Sequence, residues 1–98
     1  MGVALQVSPA NRVSNPAIAV DAGGNALAVW QELSAGTGHI WASRFIAAQG
    51  WSTAKLIGPA AGNSANPRVT FDSNGRAIAV WEQIDAGSVY DIWADRFK

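Results

Sequence analysis

Cysteine is absent from this 98-residue chain, which removes disulfides, thiolate nucleophiles and Cys-ligated zinc or iron–sulfur sites together. Packing alone must hold the fold. Excess charge is also missing: seven Lys and Arg balance seven Asp and Glu. That excludes the basic surplus with which proteins recruit nucleic acid or anionic membrane, so neither is an expected partner. Long apolar runs are lacking too. Stretches such as Ala26 to Trp30 fall far short of the roughly 20 residues of a membrane helix, and no basic segment followed by an apolar one opens the chain. The expectation is a soluble chain without a signal peptide. No window shows a convincing 3.6-residue period, so helix content should be near zero. What is present is a 49% apolar composition, enough for one small folded domain, residues 1–98, with little surface of its own to bury.

The main feature is an internal repeat. Asn15-Pro16 through Trp30 aligns without gaps on Asn66-Pro67 through Trp81, and half of those pairs are identical, among them Asp21/Asp72, Gly24/Gly75, Ala26/Ala77, Ala28/Ala79 and Val29/Val80. After one inserted residue the match resumes: Ile40-Trp41-Ala42-Ser43-Arg44-Phe45 faces Ile92-Trp93-Ala94-Asp95-Arg96-Phe97. Val3 to Pro9 resembles Thr53 to Pro59 in the same way. The chain is two copies of a unit of roughly fifty residues.

Within each unit the period is that of strands. Ala17 to Val20, the turn Asp21 to Asn25 and Ala26 to Glu32 predict a tight hairpin; Arg68 to Phe71, Asp72 to Gly75 and Arg76 to Gln83 predict its counterpart. The turn clusters Ser34 to Gly38 and Asp85 to Ser88 lead into a third strand, His39 to Ile46 or Tyr90 to Phe97. Gln49-Gly50 turns into a fourth, Trp51 to Ile57. Asp21 and Asp72 are expected to cap their own turns. In the second strand, Ala26, Ala28 and Trp30 point to one face and Leu27 and Val29 to the other, so both faces should be covered.

Four short antiparallel strands repeated in tandem are the signature of β-propeller blades. Over nearly its whole length the chain resembles bacterial β-propeller repeats, in which Asn-Pro opens the inner strand, Asp-x-x-Gly-x-Ala-x-Ala-Val-Trp makes the first hairpin and Ile-Trp-Ala-x-Arg-Phe forms the third strand. The resemblance implies an all-β fold of two four-stranded antiparallel blades, and a parent protein that is bacterial and extracellular; it does not fix function, because propellers host lectins, enzymes and scaffolds alike. The Asp-x-x-Gly turn is similar to the Asp-box of sialidases but lacks its Ser/Thr-x-Asp spacing, so no sialidase activity is carried over.

Lettering the strands A to D outward from the propeller axis, the order reads D-A-B-C-D-A-B-C, a circularly permuted arrangement. Residues 1–14 hold an outer strand, Val3 to Val7, that completes a neighbour's blade; residues 15–65 are the first blade, and 66–98 the second without its outer strand. Two blades cannot close a ring, and three or more repeats are usually needed for stability. The expected partner is therefore the chain itself, as a cyclic homotrimer with six blades or homotetramer with eight, in which Val3 to Val7 of one chain pairs with Tyr90 to Phe97 of the next. The initiator Met and absent export signal suit a piece excised or engineered from a longer propeller.

No catalytic constellation emerges. Glu32, Glu82, Asp85, Asp91 and Asp95 have no partner that sequence places nearby, His39 is the only histidine and reads as a strand-edge residue, and no Gly-x-Ser-x-Gly elbow surrounds any serine. A non-enzymatic scaffold or interaction module without cofactor or metal is the favoured reading. The alternative is a carbohydrate-binding lectin, with glycans held between blades by Trp41, Arg44, Trp51, Trp93 and Arg96, since indoles stack on sugar CH faces and guanidinium groups pair with hydroxyls. Buried tryptophans favour the scaffold, and a solvent-facing one beside Arg or Asp favours the lectin. The repeated Trp30, Trp41, Trp81 and Trp93 read as filler between blades, and Arg44 and Arg96 as structural partners of a nearby carboxylate or carbonyl. Where Ala17 and Ala19 stand in the first copy, Arg68 and Thr70 stand in the second, and these two are expected to line a central channel.

Overall fold

The computed structural model describes Leu5 and residues 12–58, 62–84 and 89–97. The described residues form eight strands and no helix: β1 (Arg12–Val20), β2 (Ala26–Ser34), β3 (Thr37–Ile46), β4 (Gly50–Trp51), β5 (Lys55–Leu56), β6 (Asn63–Phe71), β7 (Ala77–Ile84) and β8 (Tyr90–Phe97). They make two antiparallel sheets, β1-β2-β3-β4 with β5 also on β3, and β6-β7-β8. Neither sheet closes on itself. The expected outer strand Val3 to Val7 and the turn Asp85 to Ser88 lie outside the described residues, Leu5 excepted.

Local chemistry explains the hairpins. Asp21 Oδ1 accepts from the backbone N–H groups of Gly23 and Asn25, each at 2.9 Å, and Asp72 Oδ1 does the same for Asn74 and Arg76 at 2.8 and 2.9 Å. Each carboxylate thus satisfies its own turn, and Gly24 and Gly75 supply the positive φ that follows, at 85° and 79°. Between β2 and β3, Ala35 and Gly36 both have positive φ, the geometry of a two-residue type I′ turn.

The inner strands differ from expectation. Asn-Pro does not open them: β1 begins at Arg12 and β6 at Asn63, and Asn-Pro lies mid-strand, where the register slips between Ser14 and Ala17 and again between Ala65 and Arg68. Asn15 and Asn66 are left-handed there, with φ of 53° and 54°, and each side-chain amide reaches across to its neighbour strand, to Gln31 Oε1 at 2.9 Å and Glu82 Oε2 at 3.0 Å. Asparagine tolerates the conformation, and the proline that follows has no N–H to lose from the ladder. The fourth strand is present but broken. Ser52 N–H donates to Arg44 O and Ile57 N–H to Ile40 O, so the segment tracks β3 throughout, yet only its two ends form regular pairs.

The two sheets stack. Residues directly opposite in an antiparallel pair share a face, so the register assigns Ala17, Leu27, Val29, Gln31, Ile40, Ala42 and Arg44 to one face of the first sheet. The opposing face of the second sheet carries Val69, Phe71, Ala77, Ala79, Trp81 and Gln83. Leu27, Val29, Ile40, Ala42, Ala77, Ala79 and Trp81 merge into one buried core, with Ala17, Ile57, Val69, Phe71 and Phe97 packed against it. Close approach is possible because Gly38 has no side chain: a Cβ there would stand 2.5 Å from the carbonyl oxygen of Ser64 on β6. The Gly38 N–H instead donates to Asn63 Oδ1 at 2.6 Å.

The stacking is head-to-tail. The Leu27/Val29 face of one repeat meets the Ala77/Ala79/Trp81 face of the other, and those two faces differ in composition. Two further faces, one of each kind, point outward, and both carry exposed apolar side chains, although Ala26, Trp30, Glu32 and Ser43 on the first are buried. On the first sheet Val13, Ile18 and Val20 are exposed, the latter two at 58% and 62%, whereas their repeat counterparts Val69 and Phe71 pack on the core. On the second sheet Val80 and Ile92 are exposed, whereas Val29 and Ile40 in the first are fully buried.

Candidate functional site

The seven residues singled out from sequence are distributed over several faces. Trp41 stands opposite Trp30 on the face of the first sheet turned away from the second, half-buried. Trp51, also half-buried, is opposite Phe45, with ring centroids 5.3 Å apart and planes tilted by 59°. Arg44 is opposite Leu27 and so belongs to the inner face. Trp93, opposite the buried Trp81, is 45% exposed on β8, the strand that has no outer neighbour among the described residues. Arg96 is opposite Ile78, and Arg68 and Thr70 are opposite Val80 and Ile78, which sets these three on the open face of the second sheet. The Arg68 guanidinium donates to the carbonyl of Pro67 at 2.9 Å.

The structure does bring some of these together. Arg44, Trp51 and Arg96 line one cavity of about 630 Å³ between the outer end of the first sheet and the end of β8. Lys55, which the sequence did not single out, lines it too. Its repeat counterpart is Leu5, so the visible signal was a cation replacing an aliphatic residue in an otherwise apolar register.

Arg44 and Arg96 also act on the turns. The Asp21 carboxyl is held below the ordinary carboxylate range, first by the backbone N–H of Asn25, against the opposing effect of desolvation, and further by hydrogen bonds from the Asn25 side chain and the Gly23 N–H and by the field of Arg44. Asp72 is lowered in the same manner, first by the N–H of Arg76 and then by that of Asn74, with the fields of Arg76 and Arg96 adding to it. The repeated arginine thus stands near the repeated aspartate in both copies.

Sequence reasoning missed Glu32. It is 1% exposed on β2 and accepts a 2.7 Å hydrogen bond from Trp30 Nε1, with His39 directly across the strand pair. The equivalent place in the second copy is neutral: Gln83 Oε1 accepts from Trp81 Nε1 at 3.3 Å and from the hydroxyl of Ser64. No group of three metal-ligating side chains occurs among the described residues, and no helix there is long and apolar enough to cross a membrane. Comparison with protein-family models, with curated proteins and with solved structures finds no match to the chain.

Proposed function

We propose that the chain is a self-assembling, non-enzymatic scaffold: two blades of a β-propeller whose copies join head-to-tail into a ring of three or four chains. One observation carries the reading. Ile40 and Ile92 occupy the same place in the repeat and the same place in their sheets, yet Ile40 is fully buried and Ile92 is 74% exposed. What buries Ile40 is the Ala77/Ala79/Trp81 face of the following repeat. The chain's other face of that kind, built on Ala26, Ala28 and Trp30, lies on the side of its first sheet away from the second, where the flanking β1 side chains Ile18 and Val20 are exposed. A second copy therefore carries the surface that would cover Ile92, which makes another copy the occupant that fits.

Such a contact is heterologous, since two different surfaces meet, and it propagates until a rotation closes it. The same join would settle the edge of β8 that has no partner among the described residues, whereas its counterpart β3 is paired on both sides; the residues expected to fill it, Val3 to Val7 of the neighbour, lie outside the described residues, Leu5 excepted. An edge without a partner among the described residues, flanked by exposed Ile92 and Trp93, is a surface that natural sheets protect or pair. Of the tryptophans considered for sugar binding, Trp41 and Trp51 are half-buried and Trp93 is 45% exposed on β8, the strand along which the scaffold reading seats a neighbouring copy.

Light scattering behind size exclusion over a dilution series tests this. The expected mass is three or four times 10.2 kDa. A folded chain that stays at the mass of one copy at every concentration would overturn self-assembly and mean that the two repeats cover their outward faces in some other way.

A further inference from the structure

We infer that the cavity between the outer end of the first sheet and β8 is a binding site for a small amphipathic organic anion, an acidic head on an apolar body. The inference goes beyond the scaffold reading and does not depend on it, because the cavity is formed within one chain.

Its chemistry is split in a definite way. Leu27, Ala42, Ile46 and Phe97 supply an apolar wall; of the three basic residues of the lining, Arg96, opposite Ile78, belongs to the other face of its sheet, which leaves Arg44 and Lys55 as the two cations on the side of the wall, and no carboxylate is among the lining residues. Register sets Arg44 opposite Leu27 and Lys55 opposite Ala42, so both basic side chains leave the sheet on the side of the apolar wall. Asp21, whose carboxylate feels the field of Arg44, is committed to its own turn by the N–H groups of Gly23 and Asn25. A volume of about 630 Å³ lies within the ordinary range of small-molecule sites, roughly 300–1,000 Å³. A neutral apolar guest would leave two cations facing it without a counter-charge. A bare inorganic anion would leave the apolar wall wet. A carboxylate with an alkyl or aryl body answers both, pairing its head with Arg44 and Lys55 and laying its body on Leu27, Ala42 and Phe97.

Titration calorimetry on the intact chain, with octanoate as probe and acetate and 1-octanol as the head-only and tail-only controls, tests this. The expected result is saturable binding of one octanoate per chain, with both controls weaker by at least about tenfold. Lys55→Gln and Arg44→Gln should each weaken octanoate by roughly tenfold. Lys55 is exposed on a two-residue strand, so its substitution reads binding without risk to the fold. Equal binding of 1-octanol would show an apolar crevice and no acid site, and equal binding of acetate an adventitious ion only. Octanoate binding untouched by Lys55→Gln, or no binding at all, would likewise overturn the proposal.

Discussion

Replacing the two repeat-equivalent isoleucines by alanine, one at a time, separates packing within the chain from packing between chains. Ile40 is fully buried between the sheets, so Ile40→Ala removes a core side chain and leaves a cavity, a loss of about 2–5 kcal/mol. In a domain of this size even 2 kcal/mol lowers the melting temperature by roughly 8–16 °C. Ile92 is 74% exposed in the single chain, so Ile92→Ala should cost no more than about 0.5 kcal/mol where copies are separate. Once a neighbour covers that face, the same substitution gives up the burial of most of an isoleucine, about 1–2 kcal/mol per contact. The assay is thermal unfolding followed by circular dichroism at two protein concentrations, one below and one above the concentration at which the mass rises. Ile40→Ala should be strongly destabilised at both. Ile92→Ala should match the parent chain when dilute and fall behind it when concentrated. Any loss of strand propensity at β8 is the same at both concentrations, so it does not mimic this pattern. If Ile92→Ala tracked the parent where the parent is assembled, the Ile92 face would not be the contact. If Ile40→Ala were neutral, the stacking of the sheets itself would be refuted.

Two other predictions follow from the interior and the turns. Gly38→Ala places a methyl group 2.5 Å from the Ser64 carbonyl oxygen and 2.6 Å from Gln31 Nε2, and should cost about 1–3 kcal/mol, read as a lower urea midpoint at unchanged slope; an unchanged midpoint would mean that the sheets are not this close. Because Asp21 and Asp72 have carboxyl pKa values below the ordinary one in the folded chain, the unfolded chain binds more protons as pH falls through that range. Their stabilisation is therefore complete above about pH 4 and lost below it. The double variant Asp21→Asn, Asp72→Asn, which keeps both side-chain acceptors, should show a shallower fall in melting temperature between pH 5 and pH 3 than the parent. An identical fall would place the acid sensitivity elsewhere.

Much of this architecture was legible in the sequence, and for local reasons. Asp21-x-x-Gly24 and Asp72-x-x-Gly75 dictate their turns through a short carboxylate and a glycine at positive φ, so both first hairpins follow from residues a few positions apart. Tyr90 to Phe97 forms the expected strand to the residue. The repeated Asn-Pro was visible but its meaning was not, because a bulge is a property of the pairing between two strands and leaves no mark on the alternation of one. The break in the outer strand at residues 52–54 was hidden for the same reason. Glu32 was the larger miss. An acid in a strand reads as a solvent-facing residue, and only the position of Trp30 two residues earlier on the same face makes it a buried acceptor. As for the candidate ligand residues, spacing identified their types but not their faces, and it is the faces that divide Trp41 from Arg44 and Trp93 from Arg96.

Gly38 has a counterpart across the repeat, and it is not a glycine. Leu33 pairs with Gly38 in the first sheet and Ile84 pairs with Tyr90 in the second, so the place that lets β6 approach in one copy holds a bulky aromatic ring in the other. The opposing residue changes as well, from Asn63 to its repeat equivalent Arg12. In the proposed ring the join between chains would therefore not share the spacing of the join inside a chain: the latter is tight, and the former would have to accommodate a phenol where the latter has a backbone amide. An assembly of these chains would have a rotational order equal to the number of chains and half the number of sheets, with the two kinds of seam in alternation. The seam at Gly38 is made within the chain as it folds, and in the proposed assembly the one at Tyr90 would be the seam that opens on dissociation.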